Sequence, residues 1–284
     1  MKILVVIPCR NESNNLSGVI NSLSEQSSNF VRSITIVENN STDNTFEIAA
    51  DFAKKSQNYK FEIDALQYSH RGNLSSAVEL AAFLYGAQLG LTKFKDVTHI
   101  MKLDADIRLD KNYFSDLLSS NLDFDLTGGS LDAEQISNIP GCIKLYSSDA
   151  FKLLLNFPVA LGWDILDEVM IRQNGMKVVY CGEAKYEISR VTGSSEGLLR
   201  GRKRLGLACK VTGYTKVYFG LKFTRFLFRK PYVVGSFAML AGYLSRQTSP
   251  FAESLIEAYR AEQKGKILEL LKNPVTWIKD SYGL

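Results

Sequence analysis

The sequence predicts an α/β fold, a mostly parallel central sheet flanked by helices, on three observations. Short, continuously apolar, β-branched runs alternate with stretches whose apolar residues recur at helical spacing. The joints between them, Pro8 to Glu12, Glu38 to Asp43, His70 to Asn73 and Asp104 to Asp106, are all polar. Such joints gather at the carboxyl edge of an open sheet, where ligands bind. Finally, the apolar run Ile100-Met101-Lys102-Leu103 stops abruptly at Asp104-Ala105-Asp106, two carboxylates one residue apart.

Residues 2–7 read as a buried parallel strand that begins the fold and is not a signal peptide, since Pro8-Cys9-Arg10-Asn11-Glu12 follows with no small-residue cleavage site. Asn11 to Gln26 carries Leu16, Val19, Ile20 and Leu23 at helical spacing. Ser33 to Val37 predicts a second strand, and a helix from Asn44 to Lys55 follows, with Ser41 or Thr42 able to cap it. A third strand is expected over Phe61 to Leu66 and a helix with small residues on one side over Ser75 to Leu89. Strand 97–103 comes next, and the crossovers are expected to be right-handed. Beyond Phe124 the pattern is mixed: strands at Thr127 to Leu131 and Cys142 to Tyr146, a helix at Ser148 to Leu155, and a strand at Met176 to Cys181.

Gly-x-Gly-x-x-Gly does not follow the first strand and no P-loop occurs, which excludes those two nucleotide folds. Two oxygen ligands at a strand end suit a divalent cation that holds substrate phosphates. Equally, Asp104 and Asp106 could cap a helix starting near Asp110 or Lys111. Between Gly162 and Arg172, Asp164, Asp167 and Glu168 stand at i, i+3 and i+4 of a helix that Gly175 ends, with Trp163, Leu166 and Met170 on the other face. Acids in a first turn favour the helix dipole, and Asp164 could be the N-cap; three acids beside a tryptophan exceed what a cap requires.

Four segments, Val-Val-Ile-Pro-Cys-Arg-Asn-Glu, Ile-Val-Glu-Asn-Asn-Ser-Thr-Asp-Asn-Thr, Lys-Leu-Asp-Ala-Asp and Gly-Trp-Asp-Ile-Leu-Asp-Glu, come in an order and spacing that resembles the family 2 glycosyltransferases. The resemblance covers residues 1 to about 193 and implies the GT-A (Rossmann-like) fold. A weaker likeness through Thr192-Gly193-Ser194 and Arg200-Gly201-Arg202 to Lys230-Pro231-Tyr232 is similar to members that build cell-surface polysaccharide or lipid-linked sugar. It implies two domains: 1–193, binding the nucleotide sugar and catalysing transfer, and 194–284, a basic and apolar helical extension for acceptor and membrane surface.

In that resemblance Pro8, Arg10 and Glu12 line the nucleotide pocket with Glu38 and Asn39, and Arg71 approaches ribose or phosphate. Asp106, then Asp104, would hold a divalent cation, Mg or Mn, and Asp164 falls at the catalytic aspartate, with Asp167 close behind. Two positions depart from the family. Asn39 stands where an aspartate usually reads the base, so a GDP-linked donor is as open as a UDP-linked one. No histidine stands just before Thr192, where relatives often carry a metal ligand, and Glu187 could replace it, or Asp106 and the diphosphate could suffice. The implied reaction is inverting transfer from a nucleotide sugar to a hydroxyl or phosphate acceptor, glycan or lipid-linked. The alternatives are a sugar nucleotidyltransferase, which would want a Gly-rich, Arg-containing loop after the first strand, and a non-catalytic nucleotide-sugar-binding protein.

At 284 residues with 45% hydrophobic and 23% charged residues, the chain reads as globular. Its four cysteines are too scattered for a metal knuckle or disulfide framework, consistent with a reducing compartment. The net charge of +4 is uneven, with the excess of Lys and Arg after residue 199. Arg200 and Arg204 share a helix face that either grips donor or acceptor phosphate or is simply solvated. Lys222, Arg225 and Arg229 sit amid phenylalanines, and Tyr232 to Leu244 is apolar but too short to span a bilayer. Contact with a membrane surface, at the cytoplasmic face, and packing against the catalytic domain or a second subunit are the two readings; nucleic acid is not expected as a partner, and oligomeric state stays open.

Overall fold

A computed structural model describes residues 1–70, 75–120, 123–131, 138–189 and 197–272. The first strands, β1 (Ile3–Cys9), β2 (Val31–Glu38), β3 (Glu62–Gln67) and β4 (His99–Leu103), form a parallel half-sheet in the order β3-β2-β1-β4. Every residue of β1 is buried, which explains its unbroken apolar run. Helices α1 (Leu16–Ser24), α2 (Thr45–Lys54) and α3 (Ser75–Lys93) connect these strands. The small residues of α3 serve close packing: a Cβ on Gly86 would lie 2.4 Å from a Val37 methyl, and one on Gly90 2.6 Å from Leu4.

The sheet continues through β7 (Ile143–Ser147), β6 (Leu126–Leu131), β8 (Val178–Ile188) and β5 (Ile107–Leu109). Three of these joins are antiparallel, so the eight-stranded sheet is mixed beyond β4. Helix α4 (Tyr113–Ser120) follows β5, and α5 (Ser148–Leu154) and α6 (Trp163–Gln173) lie between β7 and β8. Helices α7 (Leu198–Val211), α8 (Lys216–Leu227), α9 (Tyr232–Tyr243) and α10 (Glu253–Lys272) complete the described chain. One apolar core runs from Leu4 and Val6 through Trp163 and Leu166 to Cys209, Met239 and Ile256, so the C-terminal helices share it with the sheet.

Four local expectations are corrected. The first helix begins at Leu16, because Asn11 takes a left-handed φ of 55° and Glu12 O receives the Asn15 and Leu16 amides in a turn. Ser41 and Thr42 do not cap α2; they brace Asn11, and Asp43 Oδ1 accepts from the Thr45 amide instead at 3.1 Å. The helix expected near Asp110 starts only at Tyr113, and strand β5 separates it from Asp104 and Asp106. Gly162, at φ 86°, occupies the N-cap of α6, which leaves Asp164 inside the first turn. At the other end of α6, Gly175 (φ 72°) donates to Arg172 O and Met176 to Ile171 O, the double bond that closes a helix on a left-handed residue.

Candidate active site

Two loops at the carboxyl edge of the parallel strands are cross-braced. Asn11 N–H donates to Ser41 Oγ, Thr42 N–H returns to Asn11 Oδ1, and Glu12 N–H donates to Thr45 Oγ1. Glu38 is buried and accepts from the Ser41 amide, fixing the bend after β2. Asn39 is buried too, and its Oδ1 accepts from His70 N–H at 3.1 Å and Asn40 Nδ2 at 3.0 Å. Its side chain is therefore held with the acceptor used. Pro8 lies within β1 opposite Val37, and Arg10 is exposed where the strand opens into the loop. Arg71 lies outside the described residues.

The strand-end acids occupy the turn between β4 and β5. Asp104 N–H donates to Cys142 O, and its carboxylate is paired with the buried Lys102. Burial pushes the Asp104 carboxyl up, against the Lys102 charge, with Asp106 and Glu12 adding to the rise. Glu12 is thus close enough to be felt at the strand end.

Lys102 joins this turn to α6. Its Nζ also donates to Gly141 O at 2.8 Å, and Asp164 stands directly beside Gly141: a Cβ there would lie 2.7 Å from Asp164 Oδ2. Acids 60 residues apart are therefore brought to one place, and we call the space they border the cleft. Trp163 is buried beside both lysines, with Nε1 bonded to Ser76 O at 3.1 Å and the ring centroid 5.8 Å from Lys102 Nζ and 5.7 Å from Lys144 Nζ. Burial raises the Asp164 carboxyl above the ordinary range, against the Lys144 charge and with that of Asp167. A raised pKa makes its carboxylate a stronger base.

Asp167 is placed differently. It is 0% exposed, receives Lys144 Nζ at 2.7 and 2.8 Å, and accepts from Tyr146 OH at 2.6 Å. Lys144 also donates to Asp164 O at 2.6 Å. A carboxylate so engaged holds α6 against β7 and has no path to an acceptor hydroxyl. Glu168 accepts from Ile139 N–H at 2.8 Å and pairs with Arg172, tying the approach to β7 onto the same helix.

Glu79 on α3 belongs to the cleft and carries no motif. Its carboxyl is pushed up to about 7, first by burial, then by the charges of Asp104 and Asp164, against Lys102 and Arg204. Arg204 of α7 is near enough for its charge to act on Glu79, whereas Arg200, one turn earlier, is exposed. Glu79 was hidden in the sequence because a single acid in a helix reads as solvated.

A divalent cation fits this cleft only in the shared mode. Among the described residues no three acidic, histidine or cysteine side chains gather into a ready cage. Glu187 does not join the pair: the antiparallel register sets it opposite Arg108, exposed, while Ser189 bonds Asp106 O. Mg-type ions commonly take one or two carboxylates plus substrate phosphates. Asp106 and Asp104, the latter paired with Lys102, are the residues that would hold such an ion.

Residues 4–138 match the family model described as Glycosyl transferase family 2. Solved structures agree in fold. The mannosyltransferase PcManGT from Pyrobaculum calidifontis, in complex with GDP-Man and Mn2+, is 14% identical, with a TM-score of 0.57 over 99% of this chain and 84% of that one. TarS 1-349 from S. aureus, in complex with UDP-GlcNAc, is 14% identical, with a TM-score of 0.56 over 100% of this chain and 90% of that one. The same TarS region with UDP aligns at 16% identity and a TM-score of 0.50, over 73% of this chain and 65% of that one. Set against the longer S. aureus TarS structure, the chain spans 54% of its length. No curated protein matches the sequence.

Proposed function

We propose that this chain, whose residues 4–138 match the family model described as Glycosyl transferase family 2 and whose fold resembles that of PcManGT, is an inverting transferase that moves a sugar from a nucleoside diphosphate to an acceptor hydroxyl or phosphate. The observation that carries the reading is the cleft itself, where Asp164 faces the Asp104–Asp106 turn across Gly141 and Lys102. The braced loops after β1 and β2 would receive the nucleotide, with Asn39 offering its amide hydrogens to an acceptor atom of the base. Asp106 and Asp104 would hold the cation. When bound, such an ion offsets the charge that gathers on the departing diphosphate. Arg204 adds a second cationic group on that side.

Asp164 takes the proton from the acceptor as the new glycosidic bond forms and the sugar–phosphate bond breaks. One base serving one displacement inverts the anomeric centre. Asp167, Lys144 and Tyr146 position it: Lys144 grips the Asp164 carbonyl and the neighbouring carboxylate together. The acceptor we favour is a glycan or lipid-linked sugar at the inner face of the cell membrane. Neighbouring structures holding UDP-GlcNAc and GDP-Man support a nucleotide-sugar donor of either base.

A panel of nucleotide sugars, with and without Mg2+ or Mn2+, tests this by thermal shift and by product formation. The expected result is stabilisation by one donor class that needs the cation, with the cation effect lost in Asp106→Ala. Asp164→Asn should keep donor affinity and lose at least a hundredfold in kcat, roughly the contribution of a positioned base. A panel without any stabilising donor, or Asp164→Asn at wild-type rate, would overturn the assignment.

A further inference from the structure

Helix α9 is built inside out for a protein surrounded only by water. Its buried face is made of small residues, Gly235, Ser236 and Gly242, with Met239 among them. That face meets α7 so closely that a Cβ on Gly242 would lie 1.9 Å from Lys203 O, and one on Gly206 of α7 1.7 Å from Met239 O. The large apolar side chains turn the other way. Val233, Val234, Phe237 and Leu244 occupy one arc of the helix, and Val234, Phe237 and Leu244 are 62%, 58% and 69% exposed. Phe228, at the turn leading into α9, is 82% exposed and extends the same kind of surface. A helix packed only for water would bury its large apolar side chains and expose its small ones.

Charge identifies what covers this face. From residue 197 to 252 the sequence holds eleven Lys or Arg and not one Asp or Glu. Arg229 and Lys230 directly follow Phe228 and are exposed, and Arg246 stands exposed just past Leu244. A second copy of the chain would bring these like charges together, and a nucleic acid would leave the apolar arc uncovered. An anionic surface with a hydrocarbon layer beneath it satisfies both. No helix among the described residues is long and apolar enough to cross a membrane.

We propose that the exposed arc of α9 and the turn at Phe228–Lys230 form a peripheral docking surface for an anionic lipid bilayer. Apolar side chains enter the boundary between headgroups and acyl chains while the flanking cations meet lipid phosphates. The proposal does not depend on the glycosyl-transfer reading.

Flotation of the full-length protein with vesicles tests it, comparing phosphatidylglycerol–phosphatidylcholine mixtures with phosphatidylcholine alone. The expected result is flotation with the anionic vesicles, weakened by high salt. Phe228→Ser with Phe237→Ser should lower the partition coefficient by at least about tenfold, since each ring buries a large apolar area. Arg229→Gln with Lys230→Gln should weaken it by about tenfold on anionic vesicles only. Phe228, Arg229 and Lys230 are exposed and Phe237 meets only the edge-on ring of Phe223 at 5.8 Å among the aromatic contacts described, so melting temperatures should stay near that of the parent; if the aromatic pair melts early, Val233→Ser with Val234→Ser replaces it. The proposal is overturned if the parent does not float with anionic vesicles, or if the apolar variants float as well as the parent. It is equally overturned by a concentration-dependent dimer that Phe237→Ser converts to monomer, which would make this face a subunit interface.

Discussion

Asp164 and Asp167 are one turn apart on α6, and their surroundings give them opposite uses. Asp167 is fully enclosed and receives Lys144 and Tyr146, so removing its charge leaves the buried Lys144 ammonium only Glu168, 3.6 Å away, as an ion-pair partner among the described residues. Asp167→Asn is expected to cost about 3–5 kcal/mol of stability, whereas Tyr146→Phe, which keeps the ion pair, should cost about 1.5–3 kcal/mol. Chemical denaturation reads both, and an Asp167→Asn protein as stable as its parent would refute the ion-pair assignment. Glu79 carries a pH signature. Its carboxyl rises from an ordinary 4.5 to about 7 in the fold, so the folded state binds the proton more tightly than the unfolded chain. The stability this contributes is fully present below pH about 4.5 and lost as pH rises through about 7. Glu79→Gln should therefore flatten the melting profile between those limits and raise stability above pH about 7, by on the order of 2 kcal/mol. The measurement is the melting temperature against pH in the absence of nucleotide, and a variant that keeps the parental slope would place the titration elsewhere.

Elements that obey a simple period were legible in the sequence, and those decided by distant partners were not. Strand β1 was readable because a parallel sheet buries both faces and imposes an unbroken apolar run, and helix α1 because Leu16, Val19, Ile20 and Leu23 recur at helical spacing and are all buried. Strand β5 escaped, since three residues, Ile107-Arg108-Leu109, carry no periodic signal and exist only by pairing with β8. The acids of the site announced themselves by clustering at strand and helix ends. Their partners, Lys102, Lys144 and Tyr146, looked like ordinary strand residues, and only the fold turns them inward. Gly141 was equally silent, although Asp164 packs where its side chain would be. Gly141→Ala should therefore push Asp164 out of place, lowering kcat with little change in donor KM; an unaltered kcat would mean that the Asp164 side chain moves without consequence. Helix α9 shows the reverse error that patterning invites. Its apolar run was visible, but which arc faces α7 was not, because the glycines settle that question through closeness of approach.

At the scale of the molecule, the C-terminal helices are part of what holds the cleft in shape. Helix α10 packs on α6, with Arg172 bonded to Glu262 at 3.0 and 2.9 Å, and Gln263 Oε1 accepts from Thr215 N–H at 2.8 Å. Thr212 of α7 lies against Gly162, so that a Cβ at this left-handed N-cap would come within 2.3 Å of the Thr212 methyl. Trp163, Leu166 and Val169 share their core with Cys209, Met239, Leu255 and Ile256. A chain ending near residue 196 would uncover that side of α6, exposing apolar surface whose burial contributes about 25 cal/mol per Å2. The truncated protein is therefore expected to lose cooperative melting and nucleotide-sugar binding together, even though every residue of the family match, 4–138, remains. Calorimetry of the truncation beside the full chain checks this. A sharp transition with intact donor binding in the shorter protein would show that the sheet and α6 hold the cleft alone. The expected loss would mean that the helices carrying the cationic, apolar surface also brace the helix that bears Asp164.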